Sequence, residues 1–278
     1  MEYLMTYGWA ILIIAVVLAV LFQLGVFSGG NFTPKAQPGS CQVSRTVAGV
    51  SLEGQCDGML PQFVMSQNGT GYAYASLTSW FGNNNPLTAT EWTYVSPSDI
   101  GPTFGLAQSP PDSAWCMTTM AVNGISSTIY GRIWGPGYLT DVVSTGWHFI
   151  AMSYNPTGLG TVSLYVDGGL ANTITGQYTP SGATVYWTTY EGCQNMEGGN
   201  GHLIGMLSNI QAYNTTLSSA EIQALYLEGI GGAPIRPQNI IGWWPLNGNL
   251  NDYSGNDNAG VNGGVSFSSS WESGYSAP

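Results

Sequence analysis

The sequence has few charged residues. Only 7% of its 278 residues are Asp, Glu, Lys or Arg, and the net charge is −11. The four basic residues, Lys35, Arg45, Arg132 and Arg236, are scattered along the chain, whereas a nucleic-acid-binding surface needs a clustered basic patch. We therefore expect no nucleic-acid partner. A surface with so few charges is typical of an extracellular protein, which glycans or contacts with neighbouring subunits keep soluble in place of charge.

The motifs that hydrolases and zinc sites need are also missing. A glycosidase needs two carboxylates about 5–10 Å apart, and alternate residues of a strand share one face, so acidic residues should recur at i and i+2. No such pair occurs, and no Gly-x-Ser-x-Gly motif frames a serine. His148 and His202 have no neighbouring metal ligands in the sequence, and no Cys-x-x-Cys occurs. We therefore expect a protein without enzymatic activity.

Cysteine is scarce but even in number: the chain contains Cys41, Cys56, Cys116 and Cys193. An even count in an exported protein predicts two disulfides. Three pairings are possible. The pairing of Cys41 with Cys56 and of Cys116 with Cys193 is favoured because the first bond closes a short loop.

Three Asn-x-Thr sequons mark candidate glycosylation sites. They lie at Asn31, Asn68 and Asn214. Several sequons are expected by chance in a chain rich in Asn and Thr, so they support an extracellular location only weakly.

One long apolar run begins the sequence. Residues 9–22 are apolar without interruption, and no charge occurs between Glu2 and Lys35. About 25 uncharged residues form a helix of roughly 37 Å, which is long enough to cross a bilayer. The pattern predicts a hydrophobic filament-core or transmembrane helix over residues 1–27, followed by a Gly- and Pro-containing linker over 28–40.

Short β-rich runs fill most of the remaining chain. They cover 71–81, 127–134, 147–154, 161–169 and 183–190, and they are bounded by Gly, Pro, Asn and Asp. One short helix is predicted near 218–227, because Ser218 and Glu221 have the spacing of a capping box. The predicted fold is thus α+β by segments: a long N-terminal hydrophobic helix, then an all-β sandwich head over 41–278 with one short helix.

Three motifs of the head resemble laminin-G-like, concanavalin A-like jelly-roll domains. They are WHFIAMSYN at 147–155, VSLYVDG at 162–168 and IGMLSNIQAYNTTLSSAEIQALY at 204–226. The segment 242–260 also resembles this family, in which it normally starts the domain. The domain thus resembles a circular permutant, in which 242–267 supplies the first strand either to its own domain or to a neighbouring molecule. The family often has acidic residues at the start of the strand that reads LSNIQAYN here. Those positions are Ser208 and Asn209 in this chain, which weakens any inherited metal or ligand role.

The N-terminal run resembles the start of archaeal type IV pilins. The resemblance rests on EYL at 2–4, on Gly8 and Trp9, and on the apolar residues that follow. It implies that the helices bundle into the core of an extracellular filament while the heads face outward, and that Glu2 pairs with the amino terminus of a neighbouring subunit. The residues expected at this assembly surface are Glu2, Tyr3, Trp9, Ile13, Val17 and Leu21.

The resemblances together predict a structural subunit of a type IV pilus-like filament that serves adhesion. Its expected partners are copies of itself, the membrane before assembly, and surface glycans. The alternative is a membrane-anchored, lectin-like carbohydrate-binding protein. Under that alternative, exposed aromatic side chains stack on sugar rings. The candidates are Tyr72, Tyr74, Trp80, Trp134, Tyr138 and Trp187. For most of them a place in the core or at a subunit interface is favoured, because a sandwich of this size needs large apolar fillers.

A Gly- and Asn-rich loop near the C-terminus is a candidate calcium site. Asp252, Asn256 and Asp257 offer carboxylate and amide oxygens, which Ca²⁺ prefers as ligands. The same residue types also form tight turns without a metal. No other cofactor is expected.

Overall fold

The computed structural model describes most of the head. The described residues are 60–81, 85–107, 116–123, 125–133, 137–176, 182–187 and 203–278. The predicted N-terminal helix with its assembly residues, the linker, and Asn31, Cys41, Cys56 and Cys193 lie outside these ranges. Among the described residues, no helix combines the length and the apolar character that a membrane crossing needs.

The described chain contains fifteen strands and one helix. In chain order the strands are β1 (Val64–Asn68), β2 (Tyr72–Phe81), β3 (Leu87–Val95), β4 (Ile100–Ala107), β5 (Cys116–Asn123), β6 (Thr128–Ile133), β7 (Leu139–Val142), β8 (Gly146–Asn155), β9 (Thr161–Val166), β10 (Gly169–Thr175), β11 (Gly182–Trp187), β12 (Ile204–Tyr213), β13 (Ile240–Trp244), β14 (Gly260–Gly263) and β15 (Ser266–Ser268). The helix α1 is Ser219–Leu227. The prediction of a mostly β head with one short helix is confirmed.

The strands form two antiparallel sheets. Sheet I has the order β10-β9-β8-β3-β12, with β13 and β1 beside the two ends of β12 and β15 beyond β1. Sheet II has the order β7-β6-β5-β4-β11-β2-β14. One backbone pair, Ile204 with Ile100, joins the two sheets. The result is a jelly-roll sandwich.

The main core lies between the sheets. Alternate residues of β2 and β11 point inward, so that Ala73, Ala75, Val185 and Trp187 belong to this core. Trp187 of sheet II meets Trp244 of sheet I edge to face, with ring centroids 4.9 Å apart. Burying these two large rings stabilises the contact between the sheets.

Sheet I is also covered on its outer face. Helix α1 and the C-terminal segment pack on the outer side chains of sheet I and form a second apolar cluster with them. It includes Trp92 and Trp147 of the sheet, Ile222 of α1, and Trp271. Nine of the ten residues of β8 are consequently buried. Burial on both faces explains why this strand is an almost continuous apolar run.

Local sequence signals determine the ends of α1. Ser218 is its N-cap, its hydroxyl accepts a hydrogen bond from the Glu221 backbone, and the Glu221 carboxylate accepts one from the Ser218 N–H 2.8 Å away. This is the predicted capping box. Gly229 follows the helix with a φ of +77°, a conformation that glycine adopts without steric cost.

The C-terminal strands pair with strands of the same chain. Strand β13 pairs with β12, β14 pairs with β2, and β15 pairs with β1. The segment 242–267 thus contributes to both sheets. Asn258 helps to fix it, because its side chain accepts a hydrogen bond from the Thr78 N–H at 2.8 Å.

Candidate functional site

The outer face of sheet II carries a cluster of tyrosines, which we call the tyrosine cluster: Tyr72, Tyr74 and Tyr186. Their neighbours along β2 and β11 point into the core, so these three side chains point to the opposite face. Tyr72 and Tyr74 are half-buried, and Tyr186 is buried. Two aromatic side chains are therefore partly open to solvent at one end of this face.

The rings of the cluster contact one another. Tyr72 and Tyr74 stack at a centroid distance of 6.3 Å with an interplanar angle of 13°. Tyr74 and Tyr186 lie 5.8 Å apart and are tilted by 38°. Because Tyr186 is directly opposite Tyr74 in the β2–β11 ladder, the strand register holds both rings in place.

Glycine on the edge strand makes room for Tyr72. Gly263 of β14 is the backbone partner of Tyr72. A Cβ at Gly263 would lie 2.5 Å from the Tyr72 ring, so any other residue at this position would displace the ring. The ring therefore lies across β14, and half-exposed Val261 is the neighbour of Tyr74 on the same strand.

A second aromatic contact lies on the same face, at the other side of the sheet. The Arg132 guanidinium carbon is 4.9 Å from the centre of the Tyr138 ring, and Arg132 Nη1 donates a hydrogen bond to the Tyr138 hydroxyl at 3.2 Å. The Tyr138 side chain is 44% exposed.

The strand register places the tyrosine cluster and the Arg132–Tyr138 contact on one row across sheet II. Successive backbone partners run from Arg132 through Thr119 and Gly105 to Tyr186 and Tyr74. Four strand spacings of about 4.8 Å separate the ends of this row, or roughly 19 Å. Each end thus presents an aromatic side chain on the same face of the sheet.

One of the aromatic candidates takes the core position that was the alternative to sugar stacking. Trp187 is fully buried. Side chains alternate between the two faces along β11. Val185 and Trp187 point between the sheets, so Thr184 and Tyr186 lie on the outer face. The side chains of Trp80 and Trp134 lie outside the described part of the structure.

The predicted calcium ligands lie on one loop, in which both carboxylate oxygens of Asp252 accept hydrogen bonds from the protein. Asp252 Oδ1 accepts hydrogen bonds from the backbone N–H of Trp243 and of Ser254, at 3.0 and 2.8 Å. Asp252 Oδ2 accepts two more, from the Ser254 hydroxyl and the Asn258 N–H. The Asn256 amide nitrogen donates to the Ile240 carbonyl at 2.9 Å.

Asp257, the third of these residues, is exposed and has a φ of +58°. The loop is therefore organised by its own hydrogen bonds, and calcium binding there stays a prediction. Within the described ranges, no three His, Cys, Asp or Glu side chains form a group that could hold a metal ion.

The Asn209 side chain connects three segments of the fold. Its side chain accepts a hydrogen bond from the Trp243 indole N–H at 2.8 Å and donates one to the Gly232 carbonyl at 2.8 Å. This buried amide connects β12 to β13 and to the segment after α1. The residue at this position thus helps to attach β13 to the sheet.

His148 and Asp167 form a polar pair at the β9–β10 turn. His148 Nδ1 is 2.8 Å from Asp167 Oδ2, and Nε2 is 2.9 Å from the Ser144 carbonyl oxygen. Both partners can only accept hydrogen bonds, so a ring that satisfies both carries a proton on each nitrogen. Neither nitrogen is available to a substrate in this arrangement.

The histidine pKa follows from this geometry. Burial lowers the pKa of His148, but the hydrogen bond and charge of Asp167, with the Ser144 carbonyl, outweigh burial and raise it above 6.5. We expect D167N to bring the titration midpoint below 6.5, because burial then dominates. The measurement is an NMR titration of the imidazole C–H signals, with H202Q to assign the two histidines. An unchanged midpoint in D167N would contradict this assignment.

Glu91 is a buried acid between the two sheets. It lies on β3, and its Oε1 accepts a hydrogen bond from the Thr103 hydroxyl of β4. Its Oε2 has no hydrogen-bond partner among the residues that the structure describes. Burial raises the pKa of Glu91 to about 8, although the Thr103 hydrogen bond acts in the opposite direction. The side chain is therefore neutral in the folded protein at pH 7.

Two of the sequon asparagines, Asn68 and Asn214, are exposed in the structure. Cys116 begins β5, but its side chain is not among those described. The disulfide pairing therefore stays a prediction.

The sequence interpretation missed Tyr186, Arg132 and Gly263 as members of the outer face, because only the pairing of β2, β6, β11 and β14 brings them there.

A family model described as the concanavalin A-like lectin/glucanases superfamily matches residues 68–223. The match covers β2 to β12 and the beginning of α1, and it ends before β13. No curated protein matches the chain.

Several solved structures are similar to this chain. A presumed carbohydrate-binding protein from Bacteroides ovatus ATCC 8483 has a TM-score of 0.54 and 11% identity over 76% of this chain. This chain spans 60% of that protein's length. A heptameric SAP-like pentraxin from Limulus polyphemus has a TM-score of 0.45 and 13% identity, over 72% of this chain and 94% of the pentraxin. The sialidase of Trypanosoma rangeli has a TM-score of 0.39 and 18% identity, over 54% of this chain and 24% of the sialidase.

Proposed function

Because this chain belongs to the concanavalin A-like lectin/glucanase superfamily, we propose that its jelly-roll head binds carbohydrate, without hydrolysing it, through the outer face of sheet II. The observation that carries the proposal is the stacked, half-open pair of Tyr72 and Tyr74. A sugar ring presents polarised C–H groups, which the negative face of a tyrosine ring attracts. The tyrosine hydroxyls can in addition bond to the hydroxyls of the sugar.

The roughly 19 Å between Tyr74 and the Arg132–Tyr138 contact favours an extended glycan over a single sugar. Tyr138 offers a second stacking surface at the far end of the row. Its ring is held in place by Arg132, which reduces the entropy lost when a ligand binds. An oligosaccharide lying across the strands can touch both ends.

The proposal is tested on an array of neutral and acidic oligosaccharides with the full chain in detergent. We expect Tyr74→Ala to weaken binding by about two- to tenfold, since one aromatic contact contributes roughly 0.5–1.5 kcal/mol. Tyr74→Phe keeps the ring and is expected to retain most of the affinity. Tyr253→Ala is the control, because that ring packs on Trp243 of sheet I, 6.1 Å away. Equal loss of binding in the Tyr74→Ala and control variants would contradict the site.

The apolar run at 9–22 supports a second proposed function, in which the chain is a subunit of an extracellular, pilus-like filament. Apolar side chains are stabilised by about 25 cal/mol per Å² when removed from water, so the run must be covered by lipid or by other chains. Bundled N-terminal helices would cover it after the subunit leaves the membrane, and the heads would then display their carbohydrate-binding faces for adhesion.

Negative-stain electron microscopy of the surface fraction tests this second function. Fibres of constant width that bind antibody against the head are expected. A protein that stays dispersed in detergent and is found only in the membrane fraction would instead favour the membrane-anchored lectin.

A further inference from the structure

Two sequons of the head differ in how tightly the fold holds them. Asn68-Gly69-Thr70 lies between β1 and β2, and both Asn68 and Thr70 are exposed. Gly69 has a φ of +87°, which turns the chain away from the sheet at this point. Asn68, the last residue of β1, therefore presents its exposed side chain where the chain leaves β1 of sheet I and turns toward β2 of sheet II.

The hydrogen bonds of this turn leave the reactive atom free. Asn68 Oδ1 accepts from the Thr70 N–H at 3.3 Å and from the Thr70 hydroxyl at 2.7 Å. The amide nitrogen Nδ2, to which an N-linked glycan is attached, makes no hydrogen bond to any residue that the structure describes. The Gly69 N–H donates to the Leu203 carbonyl at 2.9 Å, which continues the pairing of β1 with β12 by one residue.

The sequon at Asn214 is held from several sides. Asn214 is bonded twice to Asn239, through its N–H at 2.9 Å and through its Oδ1 at 3.0 Å. The Thr216 hydroxyl donates to the Tyr154 carbonyl at 2.6 Å, and the carbonyl of residue 215 accepts from Thr88 at 2.8 Å. A transferase has to break these bonds before the segment fits an active site.

We propose that Asn68 is the N-glycosylation site of the folded head and that Asn214 is left unmodified. The donor is an oligosaccharide linked to a lipid diphosphate. Asn68 Nδ2 loses a proton and bonds to the anomeric carbon, while the bond from that carbon to the diphosphate oxygen breaks. The diphosphate leaves with the bonding electrons, and no oxidant or reductant is needed.

The surroundings of Asn68 suit a glycan. Its backbone partner is Ile204, an apolar side chain that is 38% exposed. A glycan on Asn68 would cover this apolar surface and add hydration to a chain that has only 7% charged residues. The inference is independent of the sugar-binding face, because it concerns a different segment and a covalent product.

The test uses the folded full chain in detergent, in the N31Q background, so that only the two described sequons remain. The protein is incubated with a purified single-subunit oligosaccharyltransferase and a lipid-diphosphate-linked oligosaccharide, and site occupancy is measured by peptide mass spectrometry. We expect at least about tenfold higher occupancy at Asn68 than at Asn214, because several hydrogen bonds must open to free Asn214.

Two controls make the result decisive. N68Q should abolish modification of the folded chain, whereas N214Q should leave it unchanged. In urea-unfolded, reduced chain, both sites should be modified to similar extents, which shows that the fold causes the difference. Equal occupancy of the two sites in folded chain, or an unmodified Asn68, would overturn the proposal.

Discussion

Lowering the pH from 8 to 5 is expected to stabilise the folded head by about 3.5 kcal/mol through Glu91 alone, with a slope that reaches about 1.4 kcal/mol for each pH unit between the two pKa values. The pKa of Glu91 is raised from 4.5 to about 8 by burial. Its contribution is therefore fully present below pH 4.5 and is lost progressively as the pH rises to about 8, because only the unfolded chain then releases the proton.

Asp99 and His148 also make the folded head less stable as the pH rises. The pKa of Asp99 is raised by burial, and that of His148 is raised by Asp167 against the effect of burial. The stability that each contributes is also lost as the pH rises. Glu221 is the opposite case: burial raises its pKa, but bonds from Ser218 and Arg236 outweigh burial and lower it, so its contribution is lost only when the pH falls below the ordinary range of a carboxyl.

The variant Glu91→Gln isolates the effect. Glutamine is neutral at every pH and its carbonyl can still accept from the Thr103 hydroxyl, so the variant should lose most of the pH dependence and should be more stable than the natural chain at pH 8. The measurement is urea unfolding at half-unit pH steps. The exposed Glu272 provides the control, because E272Q should keep the natural slope. A slope in E91Q equal to that of the natural chain would contradict a buried, neutral Glu91.

Deleting residues 240–278 is expected to abolish cooperative folding of the head. The segment contains β13, β14 and β15 and three fully buried tryptophans, Trp243, Trp244 and Trp271. Removing one buried tryptophan side chain costs about 3–5 kcal/mol, so their summed loss is comparable to the whole stability of a domain, about 5–15 kcal/mol. The shortened chain should lack a cooperative thermal transition and near-ultraviolet circular dichroism.

Adding the peptide 240–278 back should restore the transition, because its strands pair with β12, β2 and β1. Removing only the exposed residues 276–278 is the control and should leave the melting temperature unchanged. A chain without 240–278 that still unfolds cooperatively would contradict the role of the permuted segment. Full-length heads that exchange this segment would instead be found as linked pairs by sedimentation.

Much of the β structure could be predicted from local pattern. The run at 161–169 became β9 with Asp167 and Gly168 in the turn, and Asp167 takes the left-handed φ of +49° that such a turn requires. The capping box of Ser218 and Glu221 likewise placed α1, since both signals act within a few residues. Turns and helix caps of this kind depend on residues only a few positions apart, so the sequence is enough to predict them.

Strand β3 was harder to predict. Its sequence, LTATEWTYV, has Thr and Glu among its apolar residues, yet eight of its nine residues are buried. Both faces of sheet I are covered, so burial does not alternate along this strand. A carboxyl in such a strand is an unexpected core residue, and only the position of Thr103 on the facing sheet accounts for it.

The candidate site was only half visible in the sequence. The alternation in YAYA put Tyr72 and Tyr74 on one face of a strand, but it did not tell which face was outside. For β11, both alternating sets contain aromatic residues, so the sequence alone did not decide whether Tyr186 or Trp187 points into the core. The pairing of Gly263 with Tyr72 joins positions almost two hundred residues apart, and no local signal predicts it.

The central claim is that a glycan lies on the tyrosine cluster. A crystal structure of the protein with the glycan that binds most tightly on the array tests it most directly. The account predicts a sugar ring stacked on Tyr72 and Tyr74, with the glycan extending along the row toward Tyr138. A glycan bound elsewhere, such as at the Asp252 loop with the tyrosine cluster unoccupied, would contradict the account.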